Sequence, residues 1–481
     1  MRCVLRDFHC VASMLPTALL TLLFGIVVMP AAAATCASLV NLALPDTTIT
    51  AAEPVAAGTY TAPDGEVFTN LPAFCRIAAT LTPTSDSNIN IEVWLPYSGW
   101  NGRYLGTGNA GIAGVIVWRT LAFFLTLDYA VANTDMGTSP AATEGGRVLT
   151  DHPEKQIDFA TRSTNLMTVR SKQIIKAFYG EQPKYSYFVG CSTGGGQGVH
   201  EALQFPGDYD GIVAGAPLFN NTHHTAANGW DYEAFNSSAA NLTAAQATAI
   251  TAAVVKQCAA EDGGLSSDNY LTDPRDCHWD PAALQCTSGE GDASTCLTAP
   301  QVAAVRKFYD GPINPRTAER IHAGRVRGSE NNNGLPASLG SVPGSTNALI
   351  YWVFGNDFDW RNFDFDRDMD TVDDQLAATS NANTADLEEF KSHGGKLILT
   401  HGFADPLVPT LNTVSYYERL IASQARDGRH DGDERSERLR RAQQFARLFL
   451  LPGVAHCGGG PGPDTIKATC FLPVRLIQPS I

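Results

Sequence analysis

The sequence predicts an α/β fold organised on a parallel sheet. Short apolar or alternating runs trade places with helix-patterned segments up to about residue 217 and resume near residue 395, the rhythm of strand–helix–strand units. Gly190-Cys191-Ser192-Thr193-Gly194 fits Gly-x-Ser-x-Gly, a sharp turn that joins a strand to a helix and exposes its serine. Composition agrees. At 481 residues, 44% apolar and 17% charged, the chain is globular and long enough for two domains, or for one with a large insertion. A formal net charge of −15 speaks against nucleic acid or an anionic membrane as partner and for a small or neutral substrate.

Residues 1–34 read as a signal peptide. Arg2 and Arg6 precede an apolar run from Val11 to Met29, and Ala31-Ala32-Ala33-Ala34 supplies small residues for cleavage. A start at Met14 would leave that segment without its basic residues. No other stretch reaches transmembrane length, so the protein is expected to be secreted, extracellular or periplasmic. Export makes the cysteines informative. Of eleven, Cys3 and Cys10 leave with the signal and nine remain, an odd number. No Cys-x-x-Cys or His-rich spacing suggests zinc, so disulfides are expected.

In chain order, Asn88 to Pro96 alternates polar and apolar residues as a half-buried strand does. Arg103-Tyr104-Leu105 leads into the glycine-rich loop 106–111, which lacks the Lys-Ser/Thr ending of a phosphate-binding loop. It reads either as a tight turn or as a source of backbone N–H donors for an oxyanion, with Gly111 and Asn109 as candidates. Tyr129 to Asp135 is a further core strand, and Phe159 to Tyr179 has the spacing of a crossover helix. Tyr185 to Val189 is the strand entering the serine turn, and Gly195 to Leu203 continues the helix beyond it. Tyr209 to Pro217 is the next strand.

The rhythm then stops. Residues 218–392 carry four cysteines and a loop-like run, 328–345, too long for a mere connection, and read as a separate insertion. Its aromatic-rich end, with Tyr351, Trp352, Phe354, Phe358, Trp360, Phe363 and Phe365, is expected to form that insertion's own core. Asn220, Asn236 and Asn241 head glycosylation sequons that matter only in a eukaryotic host. The sheet resumes at Gly395 to Thr400, followed by His401-Gly402-Phe403-Ala404-Asp405. After a charged helix around 435–441, a last strand from Phe445 to Pro452 delivers Gly453-Val454-Ala455-His456-Cys457.

Ser192, Asp405 and His456 thus end three expected strands, in the chain order serine, acid, histidine that belongs to α/β-hydrolases. The chemistry needs all three. Serine is a weak nucleophile until an imidazole takes its proton, and the imidazole needs a carboxylate to set its tautomer. The N–H of Thr193, just after the serine, is the first candidate oxyanion donor. If Ser192 and His456 meet, their neighbours Cys191 and Cys457 fall within disulfide reach, roughly 4.4–6.8 Å between Cα atoms. Buried free thiols and a nucleophilic cysteine are the alternatives.

The sequence resembles the tannase and feruloyl esterase family, which includes a mono(hydroxyethyl) terephthalate hydrolase. The resemblance runs from about Cys36 to Pro463. It rests on Gly190 to Gly195, Tyr209 to Pro217, His401 to Asp405 and His456-Cys457-Gly458-Gly459-Gly460. It implies an α/β-hydrolase core (35–217 and 393–463) with a large lid domain (218–392) inserted between the nucleophile and acid strands. It implies a disulfide between Cys191 and Cys457 and, by analogy, Cys36 with Cys75, Cys258 with Cys277, and Cys286 with Cys296. Cys470 is left over, in a tail (464–481) that departs from the family and reads as truncated or frame-altered. The resemblance also suggests a structural calcium in the lid, held by Asp262 and Asp268 with the carbonyls of Leu265 and Leu271. The chain departs from that motif at Ala259. No cofactor is expected for catalysis.

The function expected is therefore a secreted serine carboxylesterase for esters of phenolic or aromatic acids, of feruloyl or galloyl type. The neighbouring reading is an esterase for aromatic diacid monoesters or chlorogenate-type conjugates. A non-catalytic binding protein on the same fold is the rival from another class.

Overall fold

The computed structural model of the protein describes residues 34–112, 114–138, 146–287, 295–331, 348–425 and 434–463. Residues 1–33 of the expected signal segment, the tail with Cys470 and most of the run 328–345 lie outside the described residues.

The first part of the chain builds β1 (Thr47–Val55), a small ribbon of β2 (Gly58–Thr61) and β3 (Val67–Leu71), then β4 (Phe74–Leu81), β5 (Ile89–Pro96) and β6 (Arg103–Thr107). Helix α1 (Trp118–Leu125), β7 (Ala130–Thr134), α2 (Pro153–Ile157), α3 (Ser163–Tyr179), β8 (Tyr185–Cys191), α4 (Thr193–Gln204) and β9 (Gly211–Gly215) follow. The crossover helix expected from Phe159 opens instead with one wide turn at Asp158–Arg162, where buried Asp158 accepts from Arg162 at 2.9 Å. After the insertion come β10 (Lys396–Gly402) and, later, a last strand at Ala446–Leu451.

One nine-stranded sheet runs β1-β4-β5-β7-β6-β8-β9-β10 and ends on that last strand. Pairing is antiparallel from β1 to β7 and parallel from there to the far edge. Both β7 and β9 are buried at every residue, as parallel strands covered on both faces must be. Alternate residues serve two cores, because strand side chains point to opposite faces. Tyr104, Phe188, Ile212 and Leu399 join Met167 and Ile174 of α3 and Val199 of α4. Leu105, Tyr187, Val189 and Val213 join Leu121 and Phe124 of α1. Each large side chain so buried contributes about 1.5–3 kcal/mol.

Between β9 and β10 lie the helices α5 (Asn221–Phe235), α6 (Ala244–Cys258), α7 (Ala299–Asp310), α8 (Ala348–Phe354), α9 (Arg367–Ser380) and α10 (Glu388–Ser392). Thr243 with Gln246 and Thr298 with Gln301 form capping boxes that start α6 and α7. Phe235, Ile250, Val254, Trp279, Val305 and Phe308 give this segment a core of its own. Disulfides Cys258–Cys277 and Cys286–Cys296 close its loops.

The aromatic run does not simply extend that core. Trp352 packs with Ile112, Met136 and Phe159, residues that precede β8, and its Nε1 donates to Gly146 O at 2.9 Å. Trp360 and Phe365 meet Tyr232 and Trp230 of α5, with ring centroids 4.2 and 5.2 Å apart. The aromatics therefore join the insertion to the sheet domain as well as to itself. After β10, α11 (Thr410–Ser423) and α12 (Glu434–Ala442) lead into β11 (Ala446–Leu451). No helix among the described residues is long and apolar enough to cross a membrane.

Candidate active site

Ser192 stands between β8 and α4 with φ 62° and ψ −124°, a region an L-residue occupies at a cost of about 1–3 kcal/mol. The glycines around it explain how the turn closes. A Cβ on Gly190 would lie 2.3 Å from Gly194 O, and one on Gly194 would lie 2.8 Å from Asn109 O. Farther along, a Cβ on Gly195 or Gly196 would meet Gly215 O at 2.4 Å or Leu218 O at 2.0 Å. Glycine is a poor helix former, yet α4 needs it because its first turns press directly on neighbouring backbone. Ser192 N donates to Gly215 O at 2.9 Å, and Leu218 N donates to Ser192 O at 3.0 Å. The turn is thereby pinned to the end of β9.

Asp405 and His456 meet beyond the ends of β10 and β11. His456 Nδ1 lies 2.7 Å from Asp405 Oδ2, and Asp405 is fully buried. Its other oxygen, Oδ1, accepts from the amides of Leu407 at 2.8 Å and Val408 at 3.0 Å. Burial alone would raise the carboxyl, but the two imidazoles facing it, His456 and His401, outweigh that and hold Asp405 below the usual carboxylate range. An ionised carboxylate only accepts, so Nδ1 of His456 carries the proton and Nε2 is left with its lone pair.

The disulfide Cys191–Cys457 links the serine turn to the histidine loop, with Cα atoms 6.0 Å apart. It seats the neighbours Ser192 and His456 on facing loops. Cys457 has φ 58°, and Gly459 and Gly460 follow with φ 70° and 83°, so the loop doubles back with little side-chain bulk. Cys36–Cys75, Cys258–Cys277 and Cys286–Cys296 are the other disulfides among the described residues.

The loop 106–111 lies against α4. Thr193 opens that helix, so its N–H has no acceptor within it. Asn109 is a correction: it has no free donor. Its backbone N–H goes to Gln197 Oε1 at 2.8 Å, and its Nδ2 goes to Thr134 O at 2.7 Å and Val115 O at 3.1 Å. Its carbonyl accepts from Gly194 N at 2.8 Å. Asn109 clamps the loop to the helix instead. Gly111, with φ 58° and open space where a Cβ would be, stays available, as does the amide of exposed Ala110 beside it. Among the described residues neither of those two amides has an acceptor.

Two residues that sequence reasoning did not single out complete the site. Gln197 holds Asn109 and donates to Thr164 Oγ1 at 2.7 Å. His401, fully buried at the end of β10, places Nε2 3.1 Å from Asp405 Oδ2. Its spacing of four residues before Asp405 was the available signal.

The expected calcium is not supported. Both Asp262 oxygens accept loop amides, from Gly264 and Thr272, and Asp268 Oδ2 accepts from Leu265 N at 3.0 Å. The Leu265 carbonyl is taken by Asp268 N at 3.0 Å. Leu271 is packed by its side chain into the core of the insertion, and Ala259 offers only a buried methyl. A hard cation wants six to eight oxygens, and here most of the named donors are spent on closing the loop. Among the described residues no group of three or more His, Cys, Asp or Glu is placed to hold a metal.

Against known proteins, the family model for tannase and feruloyl esterase matches residues 75–472. An uncharacterised esterase of Xanthomonas campestris pv. campestris is 37% identical over 498 residues, covering 99% of this chain and 83% of the relative. Feruloyl esterase C of Talaromyces stipitatus is 31% identical, over 82% of this chain and 71% of its own. The crystal structure of feruloyl esterase B from Aspergillus oryzae superposes with a TM-score of 0.80 at 28% identity, over 90% of this chain and 84% of that one.

Proposed function

The chain belongs to the tannase and feruloyl esterase family, and from that premise we propose a serine esterase whose triad is Ser192, His456 and Asp405. It is a carboxylic ester hydrolase of the α/β-hydrolase fold. The observation that carries the triad is the 2.7 Å contact of His456 Nδ1 with buried Asp405, held opposite the strained Ser192 by the Cys191–Cys457 disulfide.

In this mechanism Ser192 Oγ attacks the ester carbonyl while His456 Nε2 takes its proton. The carbonyl oxygen becomes an oxyanion. The Thr193 N–H, at the positive end of α4, and an amide of Ala110 or Gly111 stabilise it. The intermediate collapses, the C–O bond to the alcohol breaks, and His456 returns the proton to the leaving oxygen. Water, deprotonated by His456, then attacks the acyl-enzyme and releases the acid and Ser192. Asp405 stays ionised throughout and balances the imidazolium.

Esters of phenolic or other small aromatic acids are the proposed substrates. Family membership supports that class, and a cavity beside His456, lined by Leu407, Ala455, Asn331 and Gly458, offers an apolar side chain to a ring. The helical insertion between β9 and β10 is read as the lid over this site. The four disulfides among the described residues and the N-terminal apolar run favour export. No nucleic acid or membrane partner is proposed.

Fluorophosphonate labelling and a hydrolysis panel test the reading. Methyl gallate, methyl ferulate, chlorogenate and a terephthalate monoester make up the panel. Wild-type protein should form a covalent adduct on Ser192 and turn over at least one of these. S192A should lose the adduct and roughly 10⁴–10⁶-fold in kcat. Near-normal turnover by S192A would reject the assignment.

A further inference from the structure

We propose that His401 is a positioning residue of the esterase, a second imidazole that orients Asp405 and tunes the basicity of His456. The proposal rests on the triad reading above.

The hydrogen-bond pattern allows one tautomer. His401 Nε2 faces two acceptors, Asp405 Oδ2 at 3.1 Å and Val408 O at 3.1 Å. Nε2 must therefore carry a hydrogen and donate. On the other side, Nδ1 lies 2.8 Å from Thr413 Oγ1. A hydroxyl can donate there, so Nδ1 accepts and the ring is satisfied as a neutral imidazole. Thr413 is fully buried on α11, and His401 is 1% exposed. The packing leaves the ring no alternative partner in water.

The consequence falls on one oxygen. Asp405 Oδ2 receives two imidazoles, Nε2 of His401 from below and Nδ1 of His456 from the site. Oδ1 receives the amides of Leu407 and Val408. Four donors converge on one carboxylate, which is thereby fixed in rotation and kept ionised. The N–H of His401 stabilises negative charge on Oδ2 and competes with His456 for it. With that N–H in place, Oδ2 is a weaker acceptor for His456 than it would otherwise be. Among the described residues, His224 of α5 also comes within electrostatic reach of Asp405 and His456. Burial, and after it Arg325, pushes His224 well below the ordinary histidine value, so it stays neutral across the working range. His401 is then the group that adjusts the dyad from behind.

Three variants separate positioning from packing: H401L fills the volume without a donor, H401Q can return an N–H to the Nε2 position, and T413V frees Nδ1 and so the tautomer. Each is counted per active site by fluorophosphonate titration of Ser192, and kcat/KM is followed against pH on whichever panel ester the wild type cleaves. H401L is expected to lose about 10–100-fold in kcat/KM, the range for one hydrogen bond to a charged group, and its acid limb should move to higher pH. H401Q should return the limb to the wild-type position, and T413V should show a smaller shift in the same direction. If H401L folds poorly, T413V decides: an unmoved acid limb there, with per-site kcat/KM within twofold of wild type, overturns the proposal. An unmoved acid limb in both H401L and T413V, with per-site kcat/KM within twofold of wild type, would overturn the proposal. A wild-type protein that takes no label on Ser192 would instead sink the triad reading on which it stands.

Discussion

The Cys191–Cys457 disulfide gives the most direct handle on how this fold serves its chemistry. Replacing both cysteines by alanine removes a link between residues 266 apart in sequence, with Cα atoms 6.0 Å apart in the fold. The chain-entropy model assigns a closure of that length about 5–6 kcal/mol, while measured disulfides cluster near 2–4 kcal/mol. With an unfolding entropy of about 2.1 cal/mol/K per residue over roughly 450 residues, 1 kcal/mol corresponds to about 1 °C in Tm. The double variant should therefore melt about 2–6 °C lower by calorimetry. The effect on rate should be larger than that suggests. Cys191 Sγ is lodged at the ends of β9 and β10, where a Cβ on Gly215 would meet it at 3.1 Å and Thr400 Oγ1 at 3.3 Å. Without the bond, nothing covalent keeps the His456 loop in register with Ser192, and misplacement near 1 Å costs about 10²-fold in an oriented reaction. The assay is kcat per fluorophosphonate-titrated site at a temperature where both proteins are folded. A variant that melts lower but keeps wild-type kcat per site would refute the positioning role and leave the bond a staple only.

Other outcomes follow from the same geometry. D405N should fold and still label slowly, but lose about 10⁴-fold in kcat, because an amide can present the wrong hydrogen to His456 Nδ1. G190A places a methyl carbon 2.3 Å from Gly194 O and should cost about 1–3 kcal/mol by denaturant unfolding, with loss of activity; an unchanged midpoint would contradict the tight turn. His223, on α5, faces Asp373 Oδ2 at 2.8 Å with Nε2 and Ile321 O at 2.7 Å with Nδ1. Burial opposes its charge, but Asp373 and the carbonyl prevail and hold its pKa above the ordinary value. Its contribution to stability should be full below about pH 6.5 and fall away as pH rises through the raised value. H223Q should flatten that part of the Tm–pH profile, and a profile identical to wild type would remove His223 from the account.

The α/β class and the esterase family were legible in the chain, because their signals are local. Strand-turn-helix chemistry needs only the spacing of Gly190, Ser192 and Gly194, and parallel strands declare themselves by continuous apolar runs such as Gly211–Gly215. Ser192, Asp405 and His456 could be nominated for the same reason, each following such a run. Hydrogen-bond ownership was not legible, since a donor's partner is chosen by residues far away in sequence. Asn109 looked like an oxyanion donor until Gln197 and the carbonyl of Thr134 claimed its hydrogens. The acidic loop around Asp262 looked like a cation site until its own amides took both oxygens of Asp262 and one of Asp268. His401 looked like part of a motif, and only its burial between Thr413 and Asp405 makes it a group with one tautomer and one task. Sequence determined which residue types stand at the strand ends. Tertiary packing decided which of their polar atoms remain free to act, because each buried donor must be satisfied by whatever the fold brings beside it.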